Sequence, residues 1–190
     1  MINRRLQSAV LAAMLLLGSV TCAHAVQYKN VNATASQIAF TYTQMGARVY
    51  GTFGQFQATI DFDSSNPSAA HASLVIELAS IDAGDKDANL ELQKPGWFNT
   101  AVYPQARFES SSVTPVADNL YEVSGQLQLK GQTREVSAQI ALSPDNDIGV
   151  FNGEFILKRG DFGIGDGEWG DYGIISNDIH IKFRVVAPAQ

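Results

Sequence analysis

Cysteine is almost missing from this chain. Cys22 is the sole one among 190 residues, so no internal disulfide can form, and past residue 25 there is no thiol chemistry and no thiolate ligand for a metal. Histidine is scarce as well. His24, His71 and His180 are the full set, and they show no HxH or HExxH spacing of the kind that builds a zinc site. Positive charge is thin: 13 Lys and Arg stand against 19 Asp and Glu, for a formal charge of −6. Removing a leader that carries Arg4 and Arg5 makes the balance more negative still. Such a chain is a poor match for nucleic acid or an anionic membrane surface, both of which select basic patches. Repeats, low-complexity tracts, charge blocks and linkers are also missing, so one domain is expected, burying about 70% of its unfolded surface.

One long apolar run does exist, at the very start. Arg4 and Arg5 precede an uncharged, mostly apolar stretch from Leu6 to Val20, and Ala23-His24-Ala25 has the small-x-small form of a cleavage signal. At about 15 residues the run is short for a bilayer span, which needs roughly 20. Residues 1–25 are therefore expected to be a signal peptide, with an exported, periplasmic domain over residues 26–190. A lipid anchor on Cys22 is the competing reading, but Ser19-Val20-Thr21 is a poor lead-in for lipid attachment.

Several familiar patterns fail on mechanism. Gly165-Asp-Gly167-Glu-Trp-Gly170 fits G-x-G-x-x-G, yet a strand rather than a helix N-terminus is expected to follow, and Asp166 and Glu168 repel phosphate. Asp85-x-Asp87-x-Asn89-x-Glu91 resembles the front of a calcium loop, but Leu90 replaces the sixth-position Gly and Gly96 the final Glu. A capped, solvated helix explains it better. Arg159-Gly-Asp161 is more economically a structural loop than an adhesion tripeptide, and Asn32-Ala-Thr34 is a triplet common by chance. No G-x-S-x-G elbow supports a nucleophilic serine.

What the chain has in quantity is alternation. Ile38, Phe40 and Tyr42 share one face; Leu74, Ile76 and Leu78 share another; Val123, Leu127 and Leu129 face Val136, Ala138, Ile140 and Leu142 across a tight turn at Lys130-Gly131. Phe151, Phe155 and Leu157 follow, and Ile179, Ile181, Phe183 and Val185 form the last strand. A short helix through Asn89 to Lys94, capped by Asp85 or Asp87 and ended by Pro95, interrupts the pattern. The stretch from Arg48 to Asp63 changes phase midway: Val49 and Phe53 are odd, whereas Phe56, Ala58, Ile60 and Phe62 are even. One long strand bent at Gly54, with both sets turned inward, accounts for it. About eight antiparallel strands with one apolar face each predict an all-β barrel whose interior is either filled or holds one ligand. The aromatics on these apolar faces fit either outcome.

The order of these features resembles one family. The stretch GTFGQFQATIDFD is similar to its G-x-F-x-x-F-x-G-x-I-x-F-D core, and Ser80-Ile81-Asp82, the acidic helix with Leu90, Trp97-Phe98-Asn99 and Tyr103-Pro-Gln-Ala-Arg-Phe108 resemble its next block. Gly125-Gln-Leu127-Gln-Leu-Lys-Gly131-Gln-Thr133 is similar to its G-x-L-T-L-x-G-x-T hairpin, and Asp161-Phe-Gly-Ile-Gly165 to a late loop. On these motifs, spread over nearly all of residues 26–190, the chain is identified as a YceI-like protein. The resemblance implies an extended, lipocalin-like, eight-stranded antiparallel β-barrel with a short helix near one opening. It also implies a long amphipathic lipid (a polyisoprenoid or an isoprenoid quinone) held inside as the ligand, no catalytic group, no cofactor beyond that lipid, no stable membrane insertion, and a homodimer in some members. Family members often carry His where this chain has Gln44 and Asn89, and Gly where it has Ala58.

The residues expected to line the tunnel are Ile38, Phe40, Tyr42, Phe53, Phe56, Leu74, Ile76, Trp97, Phe98, Phe108 and Phe162, with Arg107 or Arg159 meeting a polar head. The rival readings are an envelope hydrolase with an unrecognised site and a small outer-membrane barrel.

Overall fold

The computed structural model describes residues 25–190, so the expected signal segment lies outside the described residues but for Ala25. Eleven strands make one antiparallel sheet: β1 (Gln27–Lys29), β2 (Gln37–Gln44), β3 (Ala47–Phe53), β4 (Phe56–Asp63), β5 (His71–Glu77), β6 (Ile81–Asp82), β7 (Gln105–Ala117), β8 (Leu120–Leu129), β9 (Gln132–Asp145), β10 (Ile148–Lys158) and β11 (Asp178–Pro188). The helix α1 (Lys86–Glu91) is held by Asp85, whose Oδ1 accepts from the amides of Asp87 and Ala88, both at 2.9 Å. That carboxylate satisfies two of the donors every helix start leaves unpaired.

The count is eleven and not the expected eight, for a local reason. Three passes of the chain are broken: β1–β2 by the 3₁₀ turn Ala33–Ala35, β3–β4 at Gly54–Gln55, and β5–β6 by the 3₁₀ turn Leu78–Ser80. The stretch from Arg48 to Asp63 is thus two strands with different partners. β3 pairs with β2 and β6, whereas β4 pairs with β1 and β5. Where the ladder lapses, the Gly54 amide donates to the Ser80 carbonyl and the Glu77 amide to the Gln55 carbonyl, each at 3.0 Å. The two broken passes therefore turn the same corner together.

The sheet curls because of that corner. Its strand order is β1-β4-β5-β7-β8-β9-β10-β11-β2-β3-β6, so β3 and β4, consecutive in the chain, stand near opposite ends of it. A bridge between Tyr28 and Ala189 also ties β1 to the end of β11. Tight turns shape the hairpins. Lys130 (φ 47°) and Gly131 (φ 74°) join β8 to β9, and Met45 (φ 48°) and Gly46 (φ 81°) join β2 to β3. Positive φ at both central residues is the primed-turn geometry that matches strand twist.

The interior is stoppered at two places. One is an aromatic knot in which the Phe62 ring lies 5.0 Å from Tyr121 and 5.5 Å from Phe151, with Tyr28 5.5 Å from Phe151. The other gathers Leu78, Trp97, Leu129, Phe162, Ile164 and Ile175 beneath the loops that follow α1 and β10.

A hollow apolar interior as the candidate site

Between these two stoppers the concave face of the curled sheet lines a cavity of about 260 Å³. Its wall follows from strand alternation. Ile38, Phe40 and Tyr42 reach it from β2, Phe53 from β3, Ala58, Ile60 and Phe62 from β4, and Leu74 and Ile76 from β5. Phe53 is odd and Ala58 even, so both phases of the broken pass do meet one interior. Trp97 and Phe98, from the loop after α1, and Phe108, from β7, complete the part of the wall expected from sequence.

Four expectations end differently. Phe56 is off the wall; it lines a separate groove with Ala33, Thr34, Gln57 and Val75, because the corner at Gly54–Gln55 starts β4 away from the lumen. Phe162 is buried beneath the loop and packs in the second stopper rather than on the cavity. Arg107 sits between Ala106 and Phe108 in β7, and both of those line the cavity, while the exposed Arg107 side chain donates to the Gln105 side chain. Arg159 does touch the cavity but is 2% exposed and has no donor left for a ligand. Its five N–H groups go to the carbonyls of Ser176 (3.1 Å), Ile164 (2.8 Å), Gly165 (2.7 Å), Trp169 (2.8 Å) and Ile175 (2.9 Å). Burial holds its pKa below the usual arginine value, and the charge interaction with Tyr172 opposes that drop.

Sequence reasoning also passed over wall residues on strands it had oriented correctly. Val123, Val136, Ile140, Phe151, Phe155, Ile179, Ile181 and Phe183 also line the cavity. The signal was available, since each belongs to an alternating set already assigned inward.

Few polar groups reach the wall: Thr59, His71 and Ser73 beside Arg159 and the hydroxyl-bearing Tyr42 and Tyr121. Burial raises the pKa of both tyrosines, keeping them neutral donors. Asn89 is occupied elsewhere, accepting from the Ala83 amide at 2.7 Å and donating to Asp82 at 3.2 Å. Ser110 Oγ lies 3.4 Å from His71 Nδ1, and His71 Nε2 lies 3.1 Å from Glu109. Those His71 and Glu109 side chains are 57% and 63% exposed, far from the water-excluded setting in which preorganised dipoles act strongly. Among the described residues no helix is long and apolar enough to cross a membrane.

Comparison with known proteins agrees with this geometry. Residues 29–187 match the YceI-like domain. A UPF0312 protein of Pectobacterium atrosepticum is 30% identical over 95% of each chain. The YceI protein of Escherichia coli O157:H7 is 34% identical over 61% of this chain, and the chain spans 63% of that relative's length. Among solved structures, BcnA of Burkholderia cenocepacia superposes with a TM-score of 0.81 at 34% identity, covering 83% of this chain and 99% of BcnA. A domain from Saccharophagus degradans, described as polyisoprenoid-binding, shares the fold with a TM-score of 0.67 at 20% identity, over 87% of this chain and 99% of its own. A model match over most of its length, an all-β curled sheet and the shared fold place this chain in the YceI-like family.

Proposed function

We propose that the protein is a periplasmic binding protein whose lipocalin-like barrel holds one long-chain amphipathic lipid, an isoprenoid quinone or polyisoprenoid. The observation that carries this reading is the wall itself: an internal cavity faced almost wholly by aliphatic and aromatic side chains, with its one buried cation already saturated. A wall like this stays dry and takes apolar guests. Each Å² of chain it covers contributes about 25 cal/mol, so affinity needs no charged anchor and no catalytic group. The polyisoprenoid-binding description of the Saccharophagus degradans domain supports the same ligand class, as the expected leader supports export.

The outer surface argues against a bilayer-spanning barrel. Its β10–β11 face carries the Glu154–Lys182 ion pair at 3.3 Å, with exposed His180 and Arg184 beside it. Charges on a lipid-facing barrel wall are destabilising.

The test uses Trp97 and Trp169, the two tryptophans of the chain. Titrating the purified protein with an isoprenoid quinone quenches Trp97 emission to saturation at one equivalent. A linear, non-saturating response, equal to that of free tryptophan, contradicts the reading.

A further inference from the structure

Apart from Gly149, which the Tyr28 ring covers at the aromatic knot, three positions on the inner face carry no side chain. In β8 the inward series Tyr121, Val123, Leu127 and Leu129 has Gly125 in its middle; in β10 the series Phe151, Phe155 and Leu157 includes Gly153; in β3 Gly51 precedes inward-facing Phe53. Each gap is filled from the neighbouring strand. The Phe108 ring lies over Gly125, the Phe183 ring over Gly153, and the Phe40 ring over Gly51. A Cβ on any of these glycines would fall closer than 3.0 Å to ring carbons, a separation real Cβ atoms do not reach. The ladder registers explain the fit, since Gly153 pairs directly with Phe183 and Gly51 with Phe40. An aromatic ring laid over a strand glycine covers exposed backbone and compensates for the missing side chain. Here it also takes the ring out of the lumen, for all three phenylalanines line the cavity with their rings turned against the wall.

We infer that Gly51, Gly125 and Gly153 set the bore of the cavity, and so the width of chain it admits, by giving Phe40, Phe108 and Phe183 a place to lie flat. The ligand half of this inference rests on the proposed function; the bore itself does not. Gly153 is the clean probe, because the three atoms nearest a Cβ there all belong to the Phe183 ring, whereas at Gly51 and Gly125 the carbonyls of Asp82 and Glu109 are among the nearest. A methyl at Gly153 must swing the Phe183 ring into the lumen. A chain bearing methyl branches is then excluded before a straight one.

The experiment compares the wild type with Gly153→Ala, Phe183→Ala and the double variant, after checking that each unfolds cooperatively. Xenon uptake, followed by ¹²⁹Xe NMR, reads the bore without any natural ligand. It should fall in Gly153→Ala, rise in Phe183→Ala and recover in the double variant. In parallel, affinity for the branched probe phytanic acid should weaken about tenfold or more in Gly153→Ala, the size of an overpacking penalty. Palmitic acid should lose less, and the double variant should rebind both. Unchanged xenon uptake in Gly153→Ala, or a loss that removing the Phe183 ring does not restore, overturns the inference. If xenon behaves as expected but the wild type binds neither fatty acid nor quinone, the bore stands and the proposed function fails.

Discussion

Arg159 donates through Nη2 to the Trp169 carbonyl at 2.8 Å, and the same guanidinium lies 4.9 Å from the centre of the Tyr172 ring. With no carboxylate beside it, this buried cation is balanced by five carbonyl dipoles and two aromatic faces, the second being Trp97 at 5.8 Å. It pins the loop from Gly160 to Asn177 across one end of the cavity.

Replacing Arg159 is therefore a stability experiment. Arg159→Met leaves five carbonyls unpaired and should cost about 3–5 kcal/mol, read as a lowered urea midpoint. Arg159→Lys keeps the charge but supplies at most three donors and should fall between the two. Where Arg159→Lys is folded, its quinone affinity should stay within about tenfold of the wild type, since the guanidinium has no donor to offer a ligand.

A packed stopper and a hollow wall respond differently to truncation. Phe62 also reaches the wall, but its ring is held among Tyr28, Tyr121 and Phe151 in the aromatic knot, so Phe62→Ala should cost about 3–5 kcal/mol. Leu74 borders existing empty space, so Leu74→Ala removes fewer contacts and should cost under about 2 kcal/mol. Equal losses, measured by urea unfolding without lipid, would mean that the wall is filled.

Two surface carboxylates predict the acid limb of stability. Hydrogen bonds from the Ser65 side chain and amide hold Asp63 below the usual aspartate pKa, and the Gly84 amide with Asn89 does the same for Asp82. A folded pKa below the unfolded value means that the stabilisation is fully present above about pH 4 and is lost as pH falls through the folded value. Asp63→Asn and Asp82→Asn should thus lower the urea midpoint at pH 6 and converge with the wild type towards pH 2. A gap that widens in acid contradicts this assignment.

Asp85 caps the helix that leads into Trp97 and Phe98. Asp85→Ala should cost about 1 kcal/mol of stability. Hydrogen exchange should show the loss concentrated in the amides of Asp87 and Ala88, which lose their acceptor.

Much of this was legible in the chain, and the limits have physical causes. Alternation in Leu120–Leu129 and Gln132–Asp145 fixed which faces turn inward, because a period of two has no other phase once one face is buried. The phase change near Gly54 revealed a corner but not that the pass splits between different partners, since pairing is non-local. Phe56 misled because strand parity carries no information about where a strand begins relative to the lumen. Phe162 and Arg159 sit in a loop without periodicity, so their burial was invisible. Gly51 and Gly153 left a trace, as gaps in otherwise apolar inward series, and the rings that fill them come from neighbouring strands.

The central claim is that the cavity carries a long-chain lipid. Native mass spectrometry of the protein taken from exporting cells, followed by organic extraction, tests it most directly. The account predicts one added species per chain, which releases a long apolar molecule of the isoprenoid type into the organic phase. A single apo mass with nothing apolar in the extract would contradict it.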